Sequence, residues 1–284
     1  MLTVKNLHYH RPKPLLQNLH FQLNAKEIVC LTGSNGVGKT TFLEILTGAL
    51  QPQRGSIEKN FPPCRHWLGY LPDKPPLYPQ LTVYDYLLLC AEMREISAPH
   101  KAVMQVMEMC ELQHMQHQIC ALLSHGYKQR VGLAQAIIHQ PPILILDEPS
   151  NGLDRNQRQK IIPLLQAQKT HSSILMTSHD VDEMIELADR IYVLHNKALW
   201  EILLPERKGI KHWFICPDES SAQALEARFL EYGTAVRDGR YLGLHELPKA
   251  LWSELMNNPE LIHYPHYPPL ALQEKINHVE CLNP

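Results

Sequence analysis

The chain has 284 residues, 44% hydrophobic and 20% charged, with a formal net charge of -2. That length and apolar share suit one large or two modest globular domains with a sizeable core. The near-neutral charge argues against nucleic acid as the main partner, and no apolar run approaches the ~20 residues that span a bilayer.

The N-terminal residues Met1-Leu2-Thr3-Val4-Lys5 read as the start of a strand and not as a secretory signal. Leu2 to Leu7 and Leu19 to Leu23 alternate as a small β layer. Tyr9 ends the first strand; an aromatic there either stacks on an adenine ring or is an ordinary half-buried strand tyrosine, and both readings stand. The apolar run Ile28-Val29-Cys30-Leu31 then reads as a buried strand. It opens into Gly33-Ser34-Asn35-Gly36-Val37-Gly38-Lys39-Thr40-Thr41, a glycine, four residues, then Gly-Lys-Thr. Three glycines let the backbone N–H groups wrap an anion, Lys39 reaches β- and γ-phosphates, and the Thr40 hydroxyl is placed for Mg²⁺. Phe42, Ile45, Leu46 and Ala49 share one face of the following helix, whose positive end points at the phosphates. The stretch predicts a nucleoside triphosphate site.

Gly55 to Gly69 read as irregular, and Leu68 to Leu71 as a short strand opening into the stiff loop Pro72-Asp73-Lys74-Pro75-Pro76. Residues 82 to 140 are mostly helical in pattern: one helix from Thr82, one over Ala102 to Leu112, and one from Tyr127 to His139 stopped by Pro141-Pro142. Ser124 is a candidate N-cap of the last, and Gly126 leaves N–H groups open, which makes a second helix start suited to phosphate. Cys110, His114 and His117 fall at helical spacing with Cys120 behind, metal-ligand types in no closed zinc pattern; a polar helix surface is the favoured reading.

Ile143-Leu144-Ile145-Leu146 suits a parallel strand buried on both faces, and it ends in Asp147-Glu148-Pro149. A carboxylate at that strand end can hold Mg²⁺, and Glu148 can take a proton from an attacking water. A helix over Asn156 to Gln168, a strand Ile174 to Thr177 ending in Ser178-His179, a helix over Val181 to Ala188 and a strand Ile191 to Leu194 complete a doubly wound α/β core. After about Pro205 the pattern changes. Strand Lys211 to Ile215, helix Ala222 to Tyr232, a hairpin around Asp238-Gly239, helix Pro248 to Met256 and strand Leu261 to Tyr264 give β-α-β-β-α-β, a ferredoxin-like order, followed by a helix from Pro269. Trp200, Trp213 and Trp252 are expected in the core of that module.

The phosphate loop, Leu123-Ser124-His125-Gly126-Tyr127-Lys128-Gln129-Arg130, Leu146-Asp147-Glu148-Pro149, Ser150-Asn151-Gly152-Leu153-Asp154 and His179 stand in one order that resembles the ATP-binding subunits of ABC transporters. Gly69-Tyr70-Leu71-Pro72, Pro76 to Pro79 and Gly126-Tyr127 resemble the exporter branch with gliding-motility and multidrug-type ATPases. The resemblance implies an α/β P-loop cassette over 1–205, its helical subdomain at about 82–140, and an accessory α+β module over 206–284. It further implies an ATPase that drives a separate transmembrane permease from the cytoplasmic face of the cell membrane, as a head-to-tail homodimer with two ATP molecules between the copies. Ser124, His125 and Gly126 of one copy would then meet the γ-phosphate held by Gly33 to Thr41 of the other. Glu148 would be the general base, His179 the γ-phosphate sensor, Asp154 a bridge between copies, and Mg²⁺ would sit on Thr40 with Asp147 behind it. Two positions depart from the family: His125 stands where Gly or Lys is usual, and Asp73 where Gln or Glu is usual, one methylene short in reach to Mg²⁺ and the water. A soluble ATPase with a non-transport partner and a regulatory module without turnover are the competing readings. The first usually carries two cassettes or a long coiled coil, and the second is opposed by the presence of Glu148 and His179.

Overall fold

The computed structural model describes residues 1–61, 66–153, 155–202, 212–229, 235–244, 261–264 and 269–281. The chain divides into two compact units, Met1–Glu201 and Ile202–Pro284.

In the first unit, β1 (Leu2–His10) pairs antiparallel with β2 (Pro14–Leu23) on one side and β4 (Arg54–Lys59) on the other. β4 replaces the irregular stretch expected from the sequence. Its Arg-Gly-Ser-Ile-Glu-Lys has no fully buried position, so an edge strand paired on one side leaves no apolar alternation to read. The main sheet has the order β5-β6-β7-β3-β8-β9. Its strands are β3 (Ile28–Thr32), β5 (Leu68–Leu71), β6 (Ile143–Leu146), β7 (Ser173–Thr177), β8 (Arg190–His195) and β9 (Ala198–Ile202). The pairs from β5 through β8 are parallel. Every residue of β3, β6 and β7 is buried, which is why those segments read as unbroken apolar runs.

Helix α1 (Lys39–Thr47) follows β3, and its Phe42 packs edge-on against Phe21 of β2, which in turn meets Tyr192 of β8 at ring-centroid distances of 5.5 and 5.3 Å. This aromatic trio fastens the antiparallel layer to the helix that carries the phosphate loop. Helix α2 (Val83–Met93) starts where the Thr82 hydroxyl accepts from the Asp85 N–H. Helix α3 runs over Pro99–Met109, three residues earlier than the apolar pattern suggested, because Pro99 serves as a first-turn residue. Helix α4 (His125–Ile137) is capped by Ser124, whose hydroxyl accepts from the Tyr127 N–H. Its buried Gln129 and Gln135 donate to the carbonyls of Asp73 and Tyr70 at 2.9 and 2.7 Å, which ties α4 to the end of β5. Helices α5 (Arg155–Gln168) and α6 (Val181–Leu187) complete the unit.

In the second unit, β10 (His212–Ile215), β11 (Ala235–Asp238), β12 (Tyr241–Leu244) and β13 (Ile262–Tyr264) form an antiparallel sheet of order β11-β12-β10-β13. With helix α7 (Glu219–Phe229) between β10 and β11, that order is the ferredoxin-like one. Phe214, Leu242 and Leu244 pack with Ala222 of α7. Tyr241 and Arg240 both bond Glu274 of α8 (Pro269–Cys281), with Lys275 paired to Asp238. The expected helix Pro248 to Met256 and Trp252 lie outside the described residues. Trp213 is 2% exposed as expected, whereas Trp200 lies on β9 of the first unit at 39% exposure and belongs to no module core.

Candidate nucleotide site

The carboxyl ends of β3, β6 and β7 meet in one cleft of about 630 Å³. Gly33 opens its phosphate loop at φ 141, with the Leu194 carbonyl of β8 only 2.4 Å from where a Cβ would stand. Neither the backbone angle nor the space admits a side chain, so glycine is needed for the turn that brings the loop amides inward. Lys39 is 9% exposed and its Nζ donates to the Gly33 carbonyl at 2.7 Å, poised at the loop mouth. Ser34, Asn35, Gly36, Gly38, Thr40 and Thr41 line the same cleft.

Opposite the loop, Asp147 is 2% exposed and held by two hydroxyls: Thr40 donates to Oδ2 at 2.8 Å and Thr177 to Oδ1 at 2.6 Å. The Thr177 hydroxyl also accepts from the Glu148 N–H at 2.8 Å. Glu148 itself takes φ 51, the left-handed region that a non-glycine residue enters at a cost of ~1–3 kcal/mol. That backbone turn sends its side chain away from Asp147 to His179, whose Nδ1 lies 2.7 Å from Glu148 Oε2. Burial, then the negative charges of Asp147 and Glu44, push the Tyr70 phenol up to about 12.

Asp73 lines the cleft as well, its carboxylate accepting from Asn151 Nδ2 at 3.1 Å. The Asn151 carbonyl lies 3.1 Å from His125 Nε2, and the His125 ring sits so close to Gly152 that a Cβ there would be 2.3 Å from it. Thus the two positions that depart from the family are joined through Asn151. The donor set Thr40, Asp147 and Asp73 is all hard oxygen, which fits Mg²⁺, a cation bound through one or two carboxylates plus phosphate oxygens. Among the described residues no three His, Cys, Asp or Glu side chains converge as a metal cage of their own.

Two predicted placements are corrected. Tyr9 is 8% exposed within the core and absent from the cleft lining, so its ring is covered by protein; Leu15 of β2 lines the cleft instead. Cys110, His114 and His117 do not share a helix face, because α3 stops at Met109, Glu111 takes φ 54, and Gln113–Met115 is a separate 3₁₀ turn. Cys110 is buried, His114 bonds the Tyr127 hydroxyl and His117 bonds Gln116. Ser124, His125 and Gly126, read from the sequence as contacts for a second copy's phosphate, lie outside this cleft: the first two are exposed at the start of α4, and Gly126 is buried near Leu153. Asp154 lies outside the described residues. The contacts of Thr177, Asn151 and Leu15 in the cleft escaped sequence reasoning, since their spacing to the phosphate loop carries no local pattern.

A strand, phosphate loop and helix with an Asp-Glu strand end across the cleft define a P-loop nucleotide-binding cassette. Residues 16–151 match the family model described as ABC transporter. The chain is 32% identical, over 73% of its length and 72% of the relative's, to an uncharacterized ABC transporter ATP-binding protein, YxlF, of Bacillus subtilis (strain 168). It is 30% identical, over 75% and 93%, to the SkfA peptide export ATP-binding protein SkfE of the same organism. Proteins named for import also match, and the chain spans 62% of the length of two of these. A solved ATP-binding subunit of an ABC transporter superposes with a TM-score of 0.66 at 28% identity, covering 72% of this chain and 90% of that one. The chain belongs to the ATP-binding subunits of ABC transporters, and it is an ABC-class ATPase.

Proposed function

We propose that this subunit powers a membrane exporter, working as a head-to-tail homodimer on a separate transmembrane permease at the cytoplasmic face of the cell membrane. The observation that carries the dimer is the start of α4. Ser124 and His125 are exposed at a capped, anion-suited helix end yet do not line the cleft of their own chain. A second copy supplies the natural phosphate for them.

Within each cleft, the loop amides and Lys39 bind the β- and γ-phosphates. Thr40, Asp147 and Asp73 would hold Mg²⁺, which would supply positive charge against the charge developing on the phosphates. Glu148 accepts the proton of the attacking water, and His179, already hydrogen-bonded to Glu148, orients the base and contacts the γ-phosphate. Asp73, secured by Asn151 on one side and by Gln129 through its own carbonyl on the other, connects the metal side to α4.

A permease surface is supported by exposed Tyr78, Ile119 and Leu122, at 53%, 41% and 71% exposure. They stand on two segments joined by the Cys120 N–H to the Leu81 carbonyl and the Ala121 N–H to the Pro79 carbonyl, next to the Asp73 loop. No helix among the described residues is long and apolar enough to cross a membrane, so the membrane part belongs to the partner in this reading. Export is supported by the similarity to the peptide export subunit. Purification of the tagged chain from detergent-solubilised membranes tests the assembly. An integral membrane protein should co-purify in fixed ratio; recovery of soluble or ribosomal partners alone would contradict the proposal.

A further inference from the structure

A carboxylate is costly to take out of water unless donors meet it, so a buried one marks something it holds. Glu183, in the first turn of α6, is 5% exposed, and it has no part in the nucleotide chemistry above. Its Oε2 accepts from Ser150 Oγ at 2.9 Å and from Ser178 Oγ at 2.5 Å. Both serines are buried too, at 7% and 2% exposure. Ser150 stands two residues beyond Glu148 on the loop after β6, and Ser178 directly before His179 on the loop after β7. One carboxylate oxygen therefore joins the two loops that present the two groups in contact at 2.7 Å.

The surroundings fix Glu183 itself. Asp180 caps α6 by accepting from the N–H groups of Asp182 and Glu183, and it pairs with Arg158 of α5. The Asp180 N–H donates to Ser178 Oγ at 3.1 Å, so the Ser178 hydroxyl is oriented from one side while it donates to Glu183 on the other. Burial, reinforced by Asp180, pushes the Glu183 carboxyl up, and the two serine hydroxyls and Arg158 oppose this. The His179 side chain, in contrast, is 68% exposed, so its position follows from how its loop is held.

We propose that Glu183 is the positioning residue of the hydrolytic pair: it ties the Glu148 loop to the His179 loop and so sets the distance at which base and histidine meet. The inference rests on the reading of Glu148 as general base and His179 as its partner. A carboxylate that only stabilised α6 would share the burial but not the selective effect on turnover.

Steady-state ATPase kinetics on the full chain separate the two. Glu183→Leu fills the volume without an acceptor; kcat should fall ~10- to 100-fold, the scale of a small misplacement of a reacting group, with KM for ATP within about twofold. Glu183→Gln keeps an amide oxygen where both hydroxyls can donate and should restore most of the turnover. In a His179→Ala background, Glu183→Leu should cost less than about twofold, because the pair it aligns is already gone. If Glu183→Leu fails to fold, Ser178→Ala carries the same expectation of a selective kcat loss. Wild-type kcat in Glu183→Leu or in Ser178→Ala, or the same loss with and without His179, overturns the proposal. Glu148→Gln is run beside them: wild-type turnover in that variant would sink the general-base reading itself, whatever Glu183 does.

Discussion

Thr177→Val removes one hydroxyl and little else, and the structure assigns that hydroxyl two tasks. It donates to Asp147 Oδ1 at 2.6 Å and accepts from the Glu148 N–H at 2.8 Å, at a position with 0% exposure. A hydrogen bond to a charged group contributes ~1.5–3 kcal/mol, and leaving a buried N–H without a partner costs ~1–3 kcal/mol. The methyl that replaces the hydroxyl returns about 0.8 kcal/mol of apolar burial. The net destabilisation is about 3 kcal/mol. For a unit spanning Met1–Glu201 this lowers Tm by roughly 6–12 °C. Turnover should drop as well, because the strained Glu148 backbone loses the contact that holds its turn. Thr177→Ser retains the hydroxyl and should lose only about 1 kcal/mol of packing. Thermal and urea unfolding with parallel ATPase assays read both effects. A valine variant within about 0.5 kcal/mol of wild type, with full turnover, would refute the assignment of Thr177 as the link between the two acidic residues.

Two further outcomes follow from named contacts. Asn151→Ala and Asp73→Ala should each raise the Mg²⁺ concentration needed for half-maximal ATPase, and the double variant should go no further than the worse single one; additive losses would mean that Asn151 does not act through Asp73. Burial, then the positive charge of Arg94, lowers His139 from its ordinary value of 6.5 to about 4. In that case the unfolded chain takes up a proton before the folded one. Stability is complete above pH 6.5 and is lost as pH falls toward 4. After solvent screening of this half-buried ring the loss is ~1–2 kcal/mol, and His139→Gln should remove that part of the slope in denaturation series from pH 7 to 4; an unchanged slope would contradict it.

Much of the fold was legible because the buried parallel strands leave no polar face: β3, β6 and β7 carry apolar runs that end at the loop, the Asp-Glu pair and His179. The helix starts at Thr82 and Ser124 were legible through their capping side chains. What escaped was of two kinds. β4 is an exposed edge strand whose only apolar side chain, Ile57, cannot announce a period. The contacts of Thr177, Asn151 and Glu183 join loops far apart in sequence, so each residue looks like an unremarkable polar neighbour until the sheet order brings the loops together. Tyr9 shows the converse: an aromatic at a strand end is ambiguous until burial decides it.

In the proposed dimer each phosphate loop is half of a site completed by Ser124 to Gly126 of another copy. Glu148→Gln, incubated with ATP and Mg²⁺ and examined by sedimentation or size-exclusion with light scattering, tests it most directly. The expected result is a nucleotide-dependent shift from monomer to dimer, abolished by Ser124→Arg at the start of α4. A Glu148→Gln chain that binds ATP and stays monomeric, or a dimer indifferent to Ser124→Arg, would contradict it.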